Sequence, residues 1–252
     1  MKTTGSTIFA ALALICAAMA PAGATAAVLI SDAFTTGATP RAVGDPLAGT
    51  AAEVGGVNWV GAGSLNFTAA NEVATAISTA SSHAFVSLAA AAPTSGKIFT
   101  IQADMKNVGV TYAKLMLSST GANLITNVDL DVRLFANGNY RLDTTNTTVT
   151  IASGNVTPAA GLNTVQMLYN TGNNQASVWI NGVNVVPWLN TGVVVSVAYA
   201  GIGNYGDAVG NAGTSTFDNF QVDVIPEPAS LALLGLTGAG MILACRRKFK
   251  SR

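Results

Sequence analysis

The chain has 252 residues, with twelve Lys and Arg, twelve Asp and Glu, one His and two Cys, and only 10% of it is charged. A globular domain usually carries about 25% charged residues, so this composition is unusually poor in charge. Zero net charge and few cations exclude nucleic acid as a partner. One His and two Cys exclude a zinc finger or an iron–sulfur site. The 26 Gly and 8 Pro favour short strands and turns over long helices.

The N-terminus has the pattern of a secretory signal peptide. Lys2 is followed by an apolar run, Ile8–Met19, and then by small residues that include Ala24 and Ala26. A single cation, an apolar run of about 12 residues and an A-x-A site define such a signal, and the run is too short to span a bilayer. We therefore predict that the Sec translocon exports the chain and that signal peptidase removes residues 1–26.

Three consecutive elements form the C-terminus. Pro226-Glu227-Pro228 precedes an uncharged segment, Ala229–Cys245, which is followed by a basic cluster that begins with Arg246-Arg247-Lys248. As a helix, the uncharged segment would be about 25 Å long, slightly short of a bilayer core of about 30 Å. The cations keep the tail in the cytoplasm. The two prolines prevent helix and leave their segment extended, as a processing enzyme requires.

This arrangement resembles the PEP-CTERM sorting signal of Gram-negative bacteria. The resemblance covers Pro226, Glu227 and Pro228, the segment 229–245 and the basic cluster. It implies that an exosortase, a membrane-embedded cysteine protease or transpeptidase, removes the helix. The protein would then lie transiently in the inner membrane before it reaches the outer envelope or extracellular matrix, where exopolysaccharide is the implied partner. A permanent anchor is the alternative, since the helix and the charges alone would suffice for one. We predict a sorting signal over residues 226–252.

The remaining residues, 27–225, read as one exported all-β domain. They contain six cations, eleven acids and no Cys, a net charge of −5, which disfavours phosphate polymers and anionic lipid. Alternation of apolar and polar residues predicts strands over Lys97–Asp104 and Asn127–Leu134. Asn137-Gly138 and Asn181-Gly182 predict type I′ hairpins, because both residue types tolerate positive φ.

A predicted three-strand meander, 164–169, 175–180 and 183–186, resembles the late strands of concanavalin A-like and laminin G-like jelly rolls. The carrying motif is Val178-Trp179-Ile180-Asn181-Gly182. Ser31–Phe34 and Phe217–Phe220 resemble the family's two ends, which pair as adjacent strands. We therefore predict an antiparallel two-sheet jelly-roll sandwich, with strand also over Val73–Ala92. The resemblance further implies a structural Ca²⁺ at Asp32 or Asp218, although no run of oxygen ligands marks one and no other cofactor is predicted.

Three motifs suggest enzyme chemistry, and each has a simpler interpretation. Gly201–Gly206 fits G-x-G-x-x-G, but no helix opens at its last glycine, so we predict a turn after an apolar strand, Val193–Ala200. Asp129 and Asp131 share one face about 6.7 Å apart, a separation that an inverting glycosidase could use. Arg133 lies beside them and no Glu is near, so we predict a salt-bridged solvent face. The lone His83 lacks a G-x-S-x-G partner motif, and we expect it at the surface or at a strand edge.

Aromatic residues in loop-like sequence are the candidate glycan contacts, since their faces stack on sugar C–H surfaces. They are Trp59, Trp188, Tyr199 and Tyr205, whereas Trp179, inside a strand, is expected in the core. Three hypotheses follow for the domain. The first is a non-catalytic structural or adhesive module, the second a carbohydrate-binding lectin-like module, and the third, less favoured, a glycoside hydrolase. We predict no catalytic residues and no metal site.

Overall fold

The computed structural model describes residues 26–37, 41–62, 65–75, 81–89, 96–109, 112–120, 128–144, 149–195, 197–205 and 214–226. The regular elements in these ranges are fifteen β-strands in two antiparallel sheets. The same ranges contain no helix long and apolar enough to cross a membrane. The predicted signal peptide and the predicted spanning segment 229–245 lie outside the described residues, apart from Ala26, and stay predictions.

One sheet has eight strands. They are β1 (Ala27–Asp32), β3 (Leu65–Phe67), β4 (Val73–Thr75), β6 (Lys97–Val108), β11 (Asn163–Asn170), β12 (Gln175–Ile180), β13 (Val183–Asn190) and β15 (Thr214–Pro226). Their order is β13-β12-β11-β6-β15-β4-β3, and β1 also pairs with β15. The predicted meander is therefore confirmed as β11-β12-β13. The predicted pairing of the two chain ends is also confirmed, because Asp32 lies opposite Phe220.

The other sheet has seven strands. They are β2 (Val60–Ala62), β5 (Ser82–Ser87), β7 (Tyr112–Ser118), β8 (Val128–Phe135), β9 (Asn139–Thr144), β10 (Val149–Asn155) and β14 (Tyr199–Tyr205). Their order is β10-β9-β8-β7-β14-β5-β2. The segment Val73–Ala92 contains two strands, β4 and β5, as predicted, but they belong to different sheets.

The hydrophobic core lies between the two sheets and follows from alternation along the strands. Leu130, Val132 and Leu134 of β8 point inward, as do Ile101 and Ala103 of β6. Successive side chains of a strand point to opposite faces, so the residues between these ones form the outer faces. The prediction of an all-β two-sheet sandwich is confirmed.

The two Asn-Gly turns differ from each other. Asn181 and Gly182 have φ of 51° and 77°, as the predicted type I′ turn requires. At the other turn only Gly138 has positive φ, 83°, so the type I′ prediction is wrong there. The Asn137 side chain accepts a hydrogen bond from Asn139 N at 3.0 Å, and Gly138 N donates to Phe135 O. This holds a three-residue loop with glycine in the left-handed region.

The glycines of β14 lie in a strand, which corrects the predicted turn at Gly201–Gly206. Gly201 and Gly203 are buried between β5 and β7. Among the described residues of the predicted strand 193–200, only the last two are strand. A methyl group at Gly201 would collide with Ala84 O and the Phe85 ring. Glycine is therefore required for close packing within a central strand, as well as in turns. Gly206 lies outside the described residues.

A buried cluster joins the end of β1 to the loop before β2. Asp32 accepts four hydrogen bonds, from Phe34 N at 2.9 Å, from two nitrogens of Arg41 at 2.8 Å and from Trp59 Nε1 at 2.8 Å. Trp59 is fully buried and packs on Phe220, with ring centroids 4.9 Å apart. The Asp32 carboxylate therefore serves a structural role, and Trp59 is unable to contact a glycan, contrary to our prediction. Ca²⁺ at Asp218 stays only what the family resemblance implies.

Candidate functional site on the seven-stranded sheet

The outer face of the seven-stranded sheet is built from rows of side chains that strand register brings side by side. The first row contains aromatic residues. In each of the next two rows, a glycine of β14 lies between a ring from β5 and the charged residues on the other side. In order across the sheet the rows are Tyr205, Tyr112, Phe135; then His83, Gly203, Lys114, Arg133, Arg141; then Phe85, Gly201, Met116, Asp131, Asp143. We call this surface the seven-strand face.

The charged rows form a buried ion-pair network. Lys114, Asp131, Arg133 and Asp143 are all buried. Arg133 Nε lies 2.8 Å from Asp131 Oδ2 and 3.0 Å from Asp143 Oδ2. The predicted salt bridge is therefore present, but the predicted solvent face is wrong. Burial is tolerated because each carboxylate has a cation beside it on the same face.

Burial controls the protonation of this network. Desolvation raises the pKa of Asp131, while Lys114 and Arg133 oppose the shift. Desolvation also lowers the pKa of Lys114, against the attraction of Asp131. The Asp131 carboxylate has no exposed surface and is therefore unable to contact a substrate. Asp129 and Asp131 thus do not act together on a glycosidic bond.

The aromatic row lies at one end of the network. The Tyr112 and Tyr205 rings stack with centroids 5.7 Å apart and planes 7° from parallel, and Phe135 lies 5.2 Å from Tyr112. The Arg133 guanidinium lies over the Tyr112 ring, 4.6 Å from its centroid. Burial raises the pKa of Tyr112 far above its usual range. Tyr205 is 39% exposed, so the row ends in an accessible ring.

A groove of about 330 Å³ opens beside Phe135, at the β8–β9–β10 side of this face. Its lining residues are Phe135, Asn139, Tyr140, Arg141, Ser153 and Gly154. Arg141 is bound to Asp143 Oδ1 at 3.2 Å, and its side chain is 38% exposed. The groove therefore offers a ring, a cation, an amide and a hydroxyl within one concave surface.

The four predicted glycan contacts do not form one site. Tyr205 lies on the seven-strand face, and Tyr199 packs on the same sheet against Phe85, Met116 and Val128. Trp188 lies on β13 of the other sheet. Sequence reasoning missed Tyr112, Phe135 and Arg141, because only cross-strand register shows that these residues meet.

Trp179, predicted in the core, is instead 36% exposed. It alternates with Ala176, Val178 and Ile180, which point inward. This alternation in the sequence predicts Trp179 on the outer face of the sheet.

His83 lies on β5, an inner strand of the sheet, and is partly buried. This position differs from the surface or edge that we predicted. Burial, together with Lys114 across Gly203, lowers its pKa from 6.5 to about 4.

We expect His83 to make stability depend on pH between about 6.5 and 4. In that window the unfolded chain takes up a proton that the folded state excludes, so stability falls as pH falls. The stability difference between wild type and His83→Gln should shrink by about 1–2 kcal/mol from pH 7 to pH 4, a figure reduced for the partial exposure of the ring. Urea unfolding at both pH values measures this change. A stability difference that is the same at both pH values would contradict the lowered pKa of His83.

Comparison with family models identifies the C-terminal motif. Residues 224–248 match the PEP-CTERM protein-sorting motif, so the predicted sorting signal is confirmed, and the motif implies an exosortase as sorting partner. It also implies export and membrane-anchored sorting. Glu227, Pro228 and Arg246–Lys248 lie outside the described residues. A search of curated proteins by sequence finds no match.

Solved structures resemble the sandwich at low sequence identity. A mutant Trypanosoma rangeli sialidase has a TM-score of 0.50 and 12% identity, over 79% of this chain and 30% of that one. A Bacillus subtilis protein with a galectin-like fold has a TM-score of 0.49 and 12% identity, over 79% and 97%. The carbohydrate recognition domain of Emp47p has a TM-score of 0.49 and 11% identity, over 73% and 94%. The chain is thus an antiparallel two-sheet sandwich that carries a PEP-CTERM motif.

Proposed function

We propose that this protein is an exported cell-envelope or matrix protein that binds carbohydrate without cleaving it and that an exosortase processes at its C-terminus. Exopolysaccharide is the proposed partner of the folded domain. The observation that carries the binding proposal is the groove on the seven-strand face beside Phe135, the end of the aromatic row opposite to Tyr205.

The groove has the chemistry of a carbohydrate site. A sugar ring has an apolar C–H face and a rim of hydroxyls, so its binding site combines aromatic rings with a few convergent polar groups. Phe135 supplies such a ring inside the groove, and Tyr205 supplies an exposed one at the other end of the row. Asn139 and Arg141 supply donors for hydroxyl or carboxylate oxygens.

The absence of catalysis is part of the proposal. A glycosidase needs two carboxyl groups that reach the scissile bond, one of them able to give up a proton. On this face Asp131 and Asp143 are buried and both lie within ion-pair distance of Arg133. Their role is to support the sheet below the aromatic row.

The geometry of β15 favours processing close to the folded domain. Val224, the first residue of the sorting motif, pairs with Ala27 of β1, and β15 ends at Pro226. Ala26, the predicted signal peptidase position, is adjacent to Ala27. The two predicted processing positions therefore adjoin the same strand pair.

Loss of the exposed ring tests the binding proposal. We expect Tyr205→Ala to weaken binding of the mature protein to exopolysaccharide from the producing cells by roughly tenfold, the equivalent of one lost stacking contact of about 1.4 kcal/mol. Tyr205→Phe, which keeps the ring, and Val60→Ala, at the opposite edge of the sheet, should bind like wild type. Affinity electrophoresis measures the change. The proposal fails if wild type binds no polysaccharide or if Tyr205→Ala binds equally well.

A further inference from the structure

The outer face of the eight-stranded sheet carries an uncharged surface that the groove does not use. Across β6, β11, β12 and β13, Gln102 lies opposite Gln166, Gln166 opposite Trp179, and Trp179 opposite Asn184. We call these four residues, together with Trp188, the amide–indole face. Residues 144–206, which supply all of it except Gln102, contain no Asp, Glu, Lys, Arg or His.

The two indoles are exposed, and a hydrogen bond holds that of Trp179. Trp179 is 36% exposed and Trp188 43%. With its amide oxygen turned toward the indole, Asn184 accepts a hydrogen bond from Trp179 Nε1 at 3.0 Å. Trp188 and Pro187 stand opposite Ser177, because the flanking pairs are Ala176–Leu189 and Val178–Val186. Ser177 and Trp179 are two residues apart, about 7 Å along β12, so the indoles are neighbours.

We propose that the amide–indole face binds a neutral polysaccharide, at a site separate from the groove. Indole faces stack on the C–H surfaces of sugars, and rigid aromatic side chains lose little entropy when they do so. Asn and Gln each present both donors and acceptors, which matches hydroxyl groups that also act as both. No cation is available among these residues to favour a uronate or a phosphate. The face is therefore suited to an uncharged chain.

Two other occupants of the face are disfavoured by its construction. A second copy of the chain that extended this sheet would pair along β13, the edge strand. Pro187 in that strand lacks an N–H, however, and the register with β12 shifts on both sides of Val178, features that block edge pairing. An anionic membrane would need nearby Lys or Arg, and residues 144–206 have none.

Affinity electrophoresis of the mature protein tests the proposal. The gels would contain dextran or laminarin, both neutral, or alginate, which is anionic. We expect the neutral polymers to retard wild type, and Trp179→Ala or Trp188→Ala to weaken binding roughly tenfold each. Trp179→Phe and Trp188→Phe should keep most of the binding. Val60→Ala, on the edge strand of the other sheet and outside the groove, should leave retardation by the neutral polymers unchanged.

Several results would overturn this inference. The inference is wrong if neither dextran nor laminarin retards wild type, or if both Ala variants bind like wild type. Loss of neutral-polymer binding in Tyr205→Ala alone would assign that binding to the seven-strand face, which supports the proposed function and removes the second site. A change of sedimentation coefficient or of vesicle binding in the Trp variants, without a change in polysaccharide binding, would assign the face to a second copy or to lipid. Unfolding curves of the variants check that the exposed substitutions leave the fold intact.

Discussion

Asp32→Ala should lower the free energy of unfolding by about 3–5 kcal/mol, because it leaves a buried cation without its partner. Arg41 binds both oxygens of Asp32, and Trp59 Nε1 and Phe34 N donate to the same carboxylate. Glu53, 3.2 Å from Arg41, is partly exposed and compensates only in part. Phe34, a non-glycine residue with φ of 51°, would also lose the bond that holds this uncommon conformation.

Urea unfolding of the mature protein measures this effect. Asp32→Asn keeps the shape and one acceptor oxygen but loses the charge, so we expect an intermediate loss. Asp223→Ala is the matched control, since Asp223 is partly exposed and its carboxylate accepts hydrogen bonds from Gln221. Its loss should stay within about 0.5 kcal/mol. Equal stability of Asp32→Ala and Asp223→Ala would contradict the structural role of Asp32.

The second large effect is expected on the seven-strand face. Asp131→Ala should destabilise the fold by about 3–5 kcal/mol, because the buried cations Lys114 and Arg133 would then face a single buried carboxylate, Asp143. The pKa of Lys114 should fall further, since Asp131 is the group that raises it.

Arg141→Gln provides the graded comparison for this effect. Its side chain is 38% exposed, so solvent screens the pair with Asp143 and the loss should be about 1 kcal/mol or less. Both variants would be unfolded in urea at low and high salt. The effect of Asp131→Ala should change little with salt, because buried pairs are weakly screened. A loss below 1 kcal/mol for Asp131→Ala would show that the network is not a stabilising element.

Local sequence patterns were sufficient to predict much of the fold. Alternation in Lys97–Asp104 and Asn127–Leu134 became β6 and β8, and Asn181-Gly182 became the β12–β13 turn. The glycines of β14 were misread because their role depends on the neighbouring strand, where Ala84 and Phe85 approach the Gly201 backbone. Composition alone does not separate a glycine needed for close approach from one needed for a turn.

The candidate sites were harder to predict, since they depend on pairs distant in sequence. Alternation placed Asp131 and Arg133 on one face, but Lys114 and Asp143 join them only through the register of β7 and β9. Trp59 was assigned to a loop surface because nothing local indicates its bond to Asp32, 27 residues away. The C-terminal motif was predictable because its three elements are contiguous and its chemistry is local.

Intact-mass analysis of the protein from producing cells tests the central claim, that the chain is exported and sorted. We expect wild type to begin at Ala27 or within two residues of it and to lack the helix 229–245. Pro226→Ala with Pro228→Ala should let the helix extend upstream, so the uncut protein should accumulate in the inner membrane, as should wild type in cells without exosortase. A wild-type mass that includes residues 229–252, or normal maturation of the double variant, would contradict the account.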